Sequence, residues 1–148
     1  MDKKELELFL ETTPDISNPK EILEQYSTPS IIASKILWEA YMRGDIVNKT
    51  IGDLGCGSLR LALGAIHLGA RRAIGVDVDC PMLRDSKNAL DKHNNWRILL
   101  VCSDVRSINM VNVDTIVMNP PFGVKKRNRG LDIAFLKKAL EIANSIYT

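Results

Sequence analysis

The stretch Thr50-Ile51-Gly52-Asp53-Leu54-Gly55-Cys56-Gly57 decides the fold. It reads as a short apolar strand that runs into a glycine-rich turn, and such a turn lets backbone approach a ligand closely and leaves amide groups facing it. Three more Ile- and Val-rich runs follow, Ala73–Val78, Ile98–Cys102 and Thr115–Met118. Helical patterns separate them around Leu61–Leu68 and Pro81–Lys92, and Ala134–Ile146 carries apolar residues at helical spacing to the end of the chain. The connection from Asp104 to Asp114 is too short for a helix. Strand-helix alternation of this kind predicts a doubly wound α/β fold, a mainly parallel sheet flanked by helices.

Upstream, Lys3 to Glu11 has the character of a short helix, interrupted by Pro14 and by Asn18-Pro19, where Asn18 can cap a new turn. Thr28-Pro29 opens a longer helix with Ile32, Ile36, Leu37, Ala40 and Tyr41 on one face, ending near Gly44. The whole of 1–148 reads as one domain, 1–48 being a helical N-terminal segment and 49–148 the binding and catalytic core. No apolar run is long enough to span a bilayer, and the N-terminus lacks the apolar core of a secretory signal, so a cytoplasmic protein with no membrane partner is expected. The cysteines Cys56, Cys80 and Cys102 are odd in number, with no C-x-x-C pair; they predict buried thiols and no metal.

The polar residues of interest fall at strand ends, where open α/β sheets bind ligands. Asp53 to Gly57 follows the first strand; Asp77, about twenty residues beyond Gly57, stands where a carboxylate binds ribose hydroxyls. Asp79 competes with it for that role. Asp104, after the third strand, can accept a bond from an adenine amino group. Short polar residues also end strands merely by bonding nearby backbone. Three such strand ends together favour a nucleoside site.

Asn119-Pro120-Pro121-Phe122 ends the fourth strand and is the most specific signal. Two prolines cannot continue a ladder, so the chain leaves the sheet in a stiff extended turn. The Asn119 side-chain oxygen and the Pro120 carbonyl can accept the two hydrogens of an amino group and stabilise positive charge as its nitrogen attacks. Phe122 can stack on a base. The alternative is a buried Pro-Pro turn with a core phenylalanine. Lys125, Lys126, Arg127 and Arg129 follow, a solvated loop or a phosphate contact. The net charge of +2 requires any such contact to be local.

Leu23 to Pro29, the Asp53–Gly57 turn, Asp77-Val78-Asp79, Asp104-Val105, Val117 to Gly123 and Gly130 to Leu136 together resemble the archaeal and eukaryotic family of small-subunit ribosomal RNA adenine-N6 methyltransferases. The resemblance covers residues 20 to 148. It implies a Rossmann-like methyltransferase fold and S-adenosylmethionine as cofactor. Gln25 and Thr28 would close over that cofactor, and Asp53, Gly55, Gly57, Ser58 and Arg60 would surround it through the first loop. Asp77 would hold its ribose, Asp104 and Val105 its adenine, and Asn119, Pro120, Pro121 and Phe122 the substrate adenine. Ribosomal RNA would be the substrate, and eukaryotic members imply a small zinc-binding activator as partner.

Two departures from the family stand out. Leu59 replaces a usual glycine, so its side chain either crowds the methionine part of the cofactor or points into the core. The chain also stops where the family adds further strands, which predicts about four strands, the C-terminal ones missing and the fourth an exposed edge. Methylation of a protein glutamine or of DNA adenine, and a non-catalytic nucleic-acid- or partner-binding remnant, stay open as alternatives. A dinucleotide oxidoreductase fits worse, because the third glycine of G-x-G-x-x-G would fall at Arg60.

Overall fold

A computed structural model describes residues 1–16, 18–92, 96–109 and 112–148. The helices are α1 (Lys3–Glu11), α2 (Ser30–Met42), α3 (Arg60–His67), α4 (Cys80–Lys92) and α5 (Leu131–Ile142), and the strands β1 (Thr50–Leu54), β2 (Arg72–Asp77), β3 (Ile98–Cys102), β4 (Val113–Met118) and β5 (Ala143–Tyr147). The strands form a five-stranded sheet in the order β3-β2-β1-β4-β5, and every pairing is parallel. The expected Rossmann-like sheet flanked by helices is therefore present. Right-handed crossovers place the helices on one face while the order runs outward from β1 to β3, and on the other once it reverses at β4. Leu10, Leu37, Ala62 and Leu90 accordingly share one core with Ile51 and Ala73, whereas Phe135 and Ala139 of α5 share a second with Leu54, Val76 and Met118.

The N-terminal helices belong to the first core. A capping box starts α1: the Asp2 carboxylate accepts from Glu5 N at 2.9 Å, and Asp2 N donates to the Glu5 carboxylate at 2.7 Å. Close packing of α1 and α2 on α3 depends on Gly64, where a Cβ would stand 2.4 Å from Leu37 Cδ1 and 2.9 Å from Leu10 Cδ2. The buried stripe of α2 comprises Ala33, Ser34, Leu37 and Ala40, while Ile32 of the expected face stays exposed. Between Asn18-Pro19 and α2 the chain makes a single 3-10 turn, Glu21–Leu23. From Asp104 to Asp114 the described residues form turns and no helix.

Two expectations are corrected, and a third reading, left open in the sequence, is decided. The C-terminal helix ends at Ile142, and Ala143 switches to extended backbone (φ −130°, ψ 153°) to begin β5. Helical spacing continues through Ala143 and Ile146, but pairing with β4, Val113 opposite Ala143 and Ile116 opposite Ile146, overrides it. The fourth strand is thus interior. The Asp45 carboxylate accepts from the Tyr147 hydroxyl at 2.5 Å and its carbonyl from Thr115 Oγ1 at 2.7 Å, which fixes the new edge to the loop after α2.

Secondly, Cys80 and Cys102 form a disulfide, with Cα atoms 5.3 Å apart, because β3 ends beside the start of α4; Cys56 alone is a buried thiol. Thirdly, Leu59 does not crowd a ligand. It is 2% exposed and packs over β2, where a Cβ on Gly75 would lie 3.1 Å from Leu59 Cδ2. Its backbone is left-handed (φ 68°), the conformation that explains why glycine is usual there.

Leu59→Gly relieves left-handed strain of about 1 kcal/mol but empties a core site whose loss costs about 2–5 kcal/mol. The expected result is a net destabilisation of about 2 kcal/mol with unchanged cofactor affinity. Denaturant melts and a binding titration on one variant check both halves.

Candidate active site

The strand order reverses between β1 and β4, and a ligand crevice opens there beyond the carboxyl ends of the strands. Leu54 and Met118, the last residues of the two strands, are register partners. Gly55 and Asn119 therefore leave the sheet side by side. The crevice holds a cavity of about 280 Å³ whose walls include Gly55, Gly57, Asp77, Asp104, Val105 and Asn119. A smaller one beside it is lined by Thr28, Asp53, Ser58, Arg60 and Asn119; Gln25 and Pro121 line the larger one, while Pro120 and Phe122 line neither.

Backbone geometry builds the first wall. Gly55 N and Cys56 N donate to the Val76 carbonyl at 2.8 and 3.0 Å, closing the turn onto β2. Gly55 has φ 70°, and a Cβ there would meet Phe135 at 2.9 Å, so only glycine fits without a shift. The Asp77 carboxylate accepts from Gly57 N and from Asp79 N, each at 3.0 Å. Burial pushes this carboxyl above its ordinary range, and the two amide bonds offset part of that rise.

Asp53 holds α3. It is 1% exposed and accepts from Ala62 N at 3.0 Å, serving the first helical turn in place of a side-chain cap. Burial pushes its pKa up to about 7, the Ala62 bond opposes this, and the nearby Asp77 adds to it. Among the described residues no cation pairs with it.

Asp79 is a latch rather than a second wall of the cavity. Its buried carboxylate accepts from Lys20 Nζ at 2.8 Å and Gln25 Nε2 at 2.9 Å, which ties the strap of residues 18–28 across the opening. Burial raises this carboxyl, yet the Lys20 and Gln25 bonds outweigh it and leave it below its ordinary value. Arg60 clamps the other end of the strap, donating to the Thr13 hydroxyl at 2.8 Å, the Thr28 carbonyl at 2.7 Å and Asp15 at 2.6 Å. Its side chain is occupied in holding the fold. Asp104 carries a partner that the sequence did not announce: Arg106 donates to both carboxylate oxygens, at 3.0 and 2.6 Å, and holds that carboxyl below the usual range.

The second wall is Asn119-Pro120-Pro121-Phe122. Asn119 Nδ2 donates to Thr28 Oγ1 at 3.2 Å, so the amide is turned with its oxygen free of any described donor. Phe122 is 74% exposed, which rules out the core-phenylalanine reading. Lys125, Lys126, Arg127 and Arg129 are all exposed around a 3-10 turn, Lys126–Asn128, and Arg127 also lines the cavity.

This geometry has close relatives. The family model of the methyltransferase small domain matches residues 29–145. The chain belongs to that family. Its members transfer a methyl group from S-adenosylmethionine. The rRNA N(6)-adenosine-methyltransferase METTL5 of Danio rerio is 38% identical over 149 residues, covering 98% of this chain and 72% of that protein. An uncharacterized protein of Methanocaldococcus jannaschii is 39% identical over 157 residues, covering 99% and 69%. The crystal structure of the PH1948 protein of Pyrococcus horikoshii superposes with a TM-score of 0.89 at 40% identity, covering 97% of this chain and 71% of that one.

The residues present fit this cofactor. The carboxylates of Asp53 and Asp77, raised by burial and unpaired with any described cation, suit a ligand that brings an ammonium, a sulfonium and ribose hydroxyls. Gly55 and Gly57 line the same cavity as Asp77.

A carboxyl whose folded pKa is raised binds its proton more tightly in the folded state, so folding stability falls as pH rises from about 4 to about 7 and is level above. Asp53→Asn removes this contribution while keeping an acceptor for Ala62 N. The stability difference between Asp53→Asn and the parent, from denaturant unfolding without cofactor, should grow with pH across that window; a constant difference would contradict the assignment.

Proposed function

We propose that the chain methylates the N6 amino group of an adenine in RNA, with small-subunit ribosomal RNA as substrate. The observation that carries this reading is the Asn119 amide, oriented by Thr28 at the mouth of the cofactor cavity beside an exposed Phe122. S-adenosylmethionine, when bound, supplies an electrophilic methyl on its sulfonium. The chain's own residues bring the amine to it. With Nδ2 engaged by Thr28, Asn119 Oδ1 accepts one amino hydrogen and the Pro120 carbonyl the other, favouring a pyramidal nitrogen and stabilising the charge that develops on it. Phe122 stacks on an adenine swung out of its strand. Asp77 would take the ribose hydroxyls, while the hydrogen bond it accepts from Gly57 N holds the turn in place. Gln25, Thr28, Asp53, Gly55, Gly57 and Ser58 would hold the cofactor from the strap and the first loop, and Asp104 with Val105 would hold its adenine.

The likeness to METTL5 at 38% identity supports the RNA substrate. A small zinc-binding activator is the partner we propose. The sheet edge at β3, with Leu99 half exposed and Trp96 82% exposed beside it, is a surface of the kind partners cover.

Asn119→Ala should leave cofactor affinity intact and slow single-turnover methyl transfer to RNA by about a hundredfold or more. An unchanged rate would remove the proposed role of the amide. Neutralising Lys125, Lys126, Arg127 and Arg129 together should weaken RNA binding and flatten its dependence on salt, since each phosphate contact releases counterions. Binding isotherms across a range of salt concentrations measure that slope, and an identical slope would return the loop to a solvated surface.

A further inference from the structure

Lys20 and Gln25 fasten the strap to Asp79, but Glu24, between them in sequence, turns the other way. Glu24 adopts left-handed backbone (φ 49°, ψ 42°), and its side chain and that of Gln25 bond different partners. Gln25 bonds Asp79 on the cofactor side at 2.9 Å. Glu24 reaches across a hundred residues of sequence to the basic loop, where its carboxylate accepts from Val124 N and from Asn128 Nδ2, both at 2.8 Å. Asn128 Nδ2 also donates to the Ile22 carbonyl at 2.8 Å, and Glu21 stands 3.9 Å from Lys125. A non-glycine residue held in left-handed backbone persists where its surroundings over-determine it, and such residues cluster at ligand clamps. Here the surroundings are two bonds into the loop that carries Phe122 and the cations.

We infer that Glu24 is a positioning residue that clasps the basic loop to the cofactor strap, so that filling the cofactor cavity orders the substrate-binding loop. The substrate half of this inference rests on the RNA reading above. Leu23, Glu24, Gln25 and Tyr26 all line the cavity, so a molecule in it adds contacts to the strap. The strap then holds the Glu24 carboxylate still, and the carboxylate holds Val124 and Asn128. Gly123 lets the loop close tightly at its root, with φ 71° and a hypothetical Cβ only 2.9 Å from the Asn128 carbonyl. Because the coupling is a free energy shared by two sites, the same clasp makes RNA strengthen cofactor binding by the factor that cofactor strengthens RNA binding.

Amide hydrogen exchange on the full chain, with and without S-adenosylhomocysteine, tests the clasp without any substrate. In the parent, exchange should slow about fivefold or more both in the strap and at Val124 when the compound is added. In Glu24→Ala the strap should still slow, through Gln25 and Asp79, while Val124 no longer responds. Asn128→Ala should weaken the response in the same way, Glu24→Gln should restore part of it through its remaining acceptor oxygen, and the double variant Glu24→Ala/Asn128→Ala should add little to either single change. A loop that fails to slow in the parent, or slows equally in Glu24→Ala, overturns the inference. In the second arm, a short adenine-containing single-stranded RNA should bind the parent about fivefold more tightly with S-adenosylhomocysteine present, and equally with and without it in Glu24→Ala. Absence of RNA binding in both conditions, with the exchange result intact, removes the RNA reading and leaves the clasp standing.

Discussion

Parallel pairing of β1 with β4 is the constraint on which the rest of the molecule depends. It sets Leu54 against Met118, so that the glycine turn and the Asn-Pro-Pro-Phe turn, more than sixty positions apart in sequence, leave the sheet as neighbours. Neither turn can follow its strand onward: Gly55 N and Cys56 N donate back to the Val76 carbonyl, and the prolines cannot extend the ladder. A crevice at this place follows from topology alone, and the side chains at its two lips decide what it does.

The crevice carries more carboxylate than its own cations balance. Asp53 and Asp77 are raised by burial, while Asp79 and Asp104 are lowered by Lys20 with Gln25 and by Arg106. The difference separates two jobs. Asp79 ties the strap to the sheet end and Asp104 pairs locally with Arg106, whereas the carboxylates without a cation partner suit a cationic, hydroxyl-bearing ligand. The strap between α1 and α2 belongs to both groups, since it closes the cavity through Gln25 and reaches the basic loop through Glu24.

Much of this was legible in the sequence because strand ends and turns are local signals. β1 and β3 begin and end where the apolar runs do, β2 and β4 differ by at most two residues at either end, and the expected cofactor residues, with Asn119 and Pro121, line the two adjoining cavities, whereas Pro120 and Phe122 line neither. What escaped were choices made by distant partners. Ala143 to Tyr147 keeps a helical pattern but becomes a strand because β4 offers an unpaired edge. Asp79 competes with Asp77 for the ribose role in the sequence, and the pairing with Lys20, 59 residues earlier, shows only in the fold. Cys80 and Cys102, 22 residues apart, have no spacing that announces a bond; their meeting depends on β3 ending beside α4. Leu59 reads as either an obstruction or a core residue, and Gly75 on the neighbouring strand, which leaves the space it fills, settles it as core.

The central claim is chemical: an amide oxygen and a proline carbonyl at the end of β4 present an adenine amino group to a methyl donor held over β1 and β2. Incubation of the protein with S-adenosylmethionine carrying an isotopically labelled methyl, alongside unmodified small-subunit ribosomal RNA, DNA and protein, followed by digestion and mass spectrometry, tests it most directly. The account predicts label in N6-methyladenosine from the RNA. Label in a glutamine side chain, in DNA or at any other atom of the RNA would contradict it.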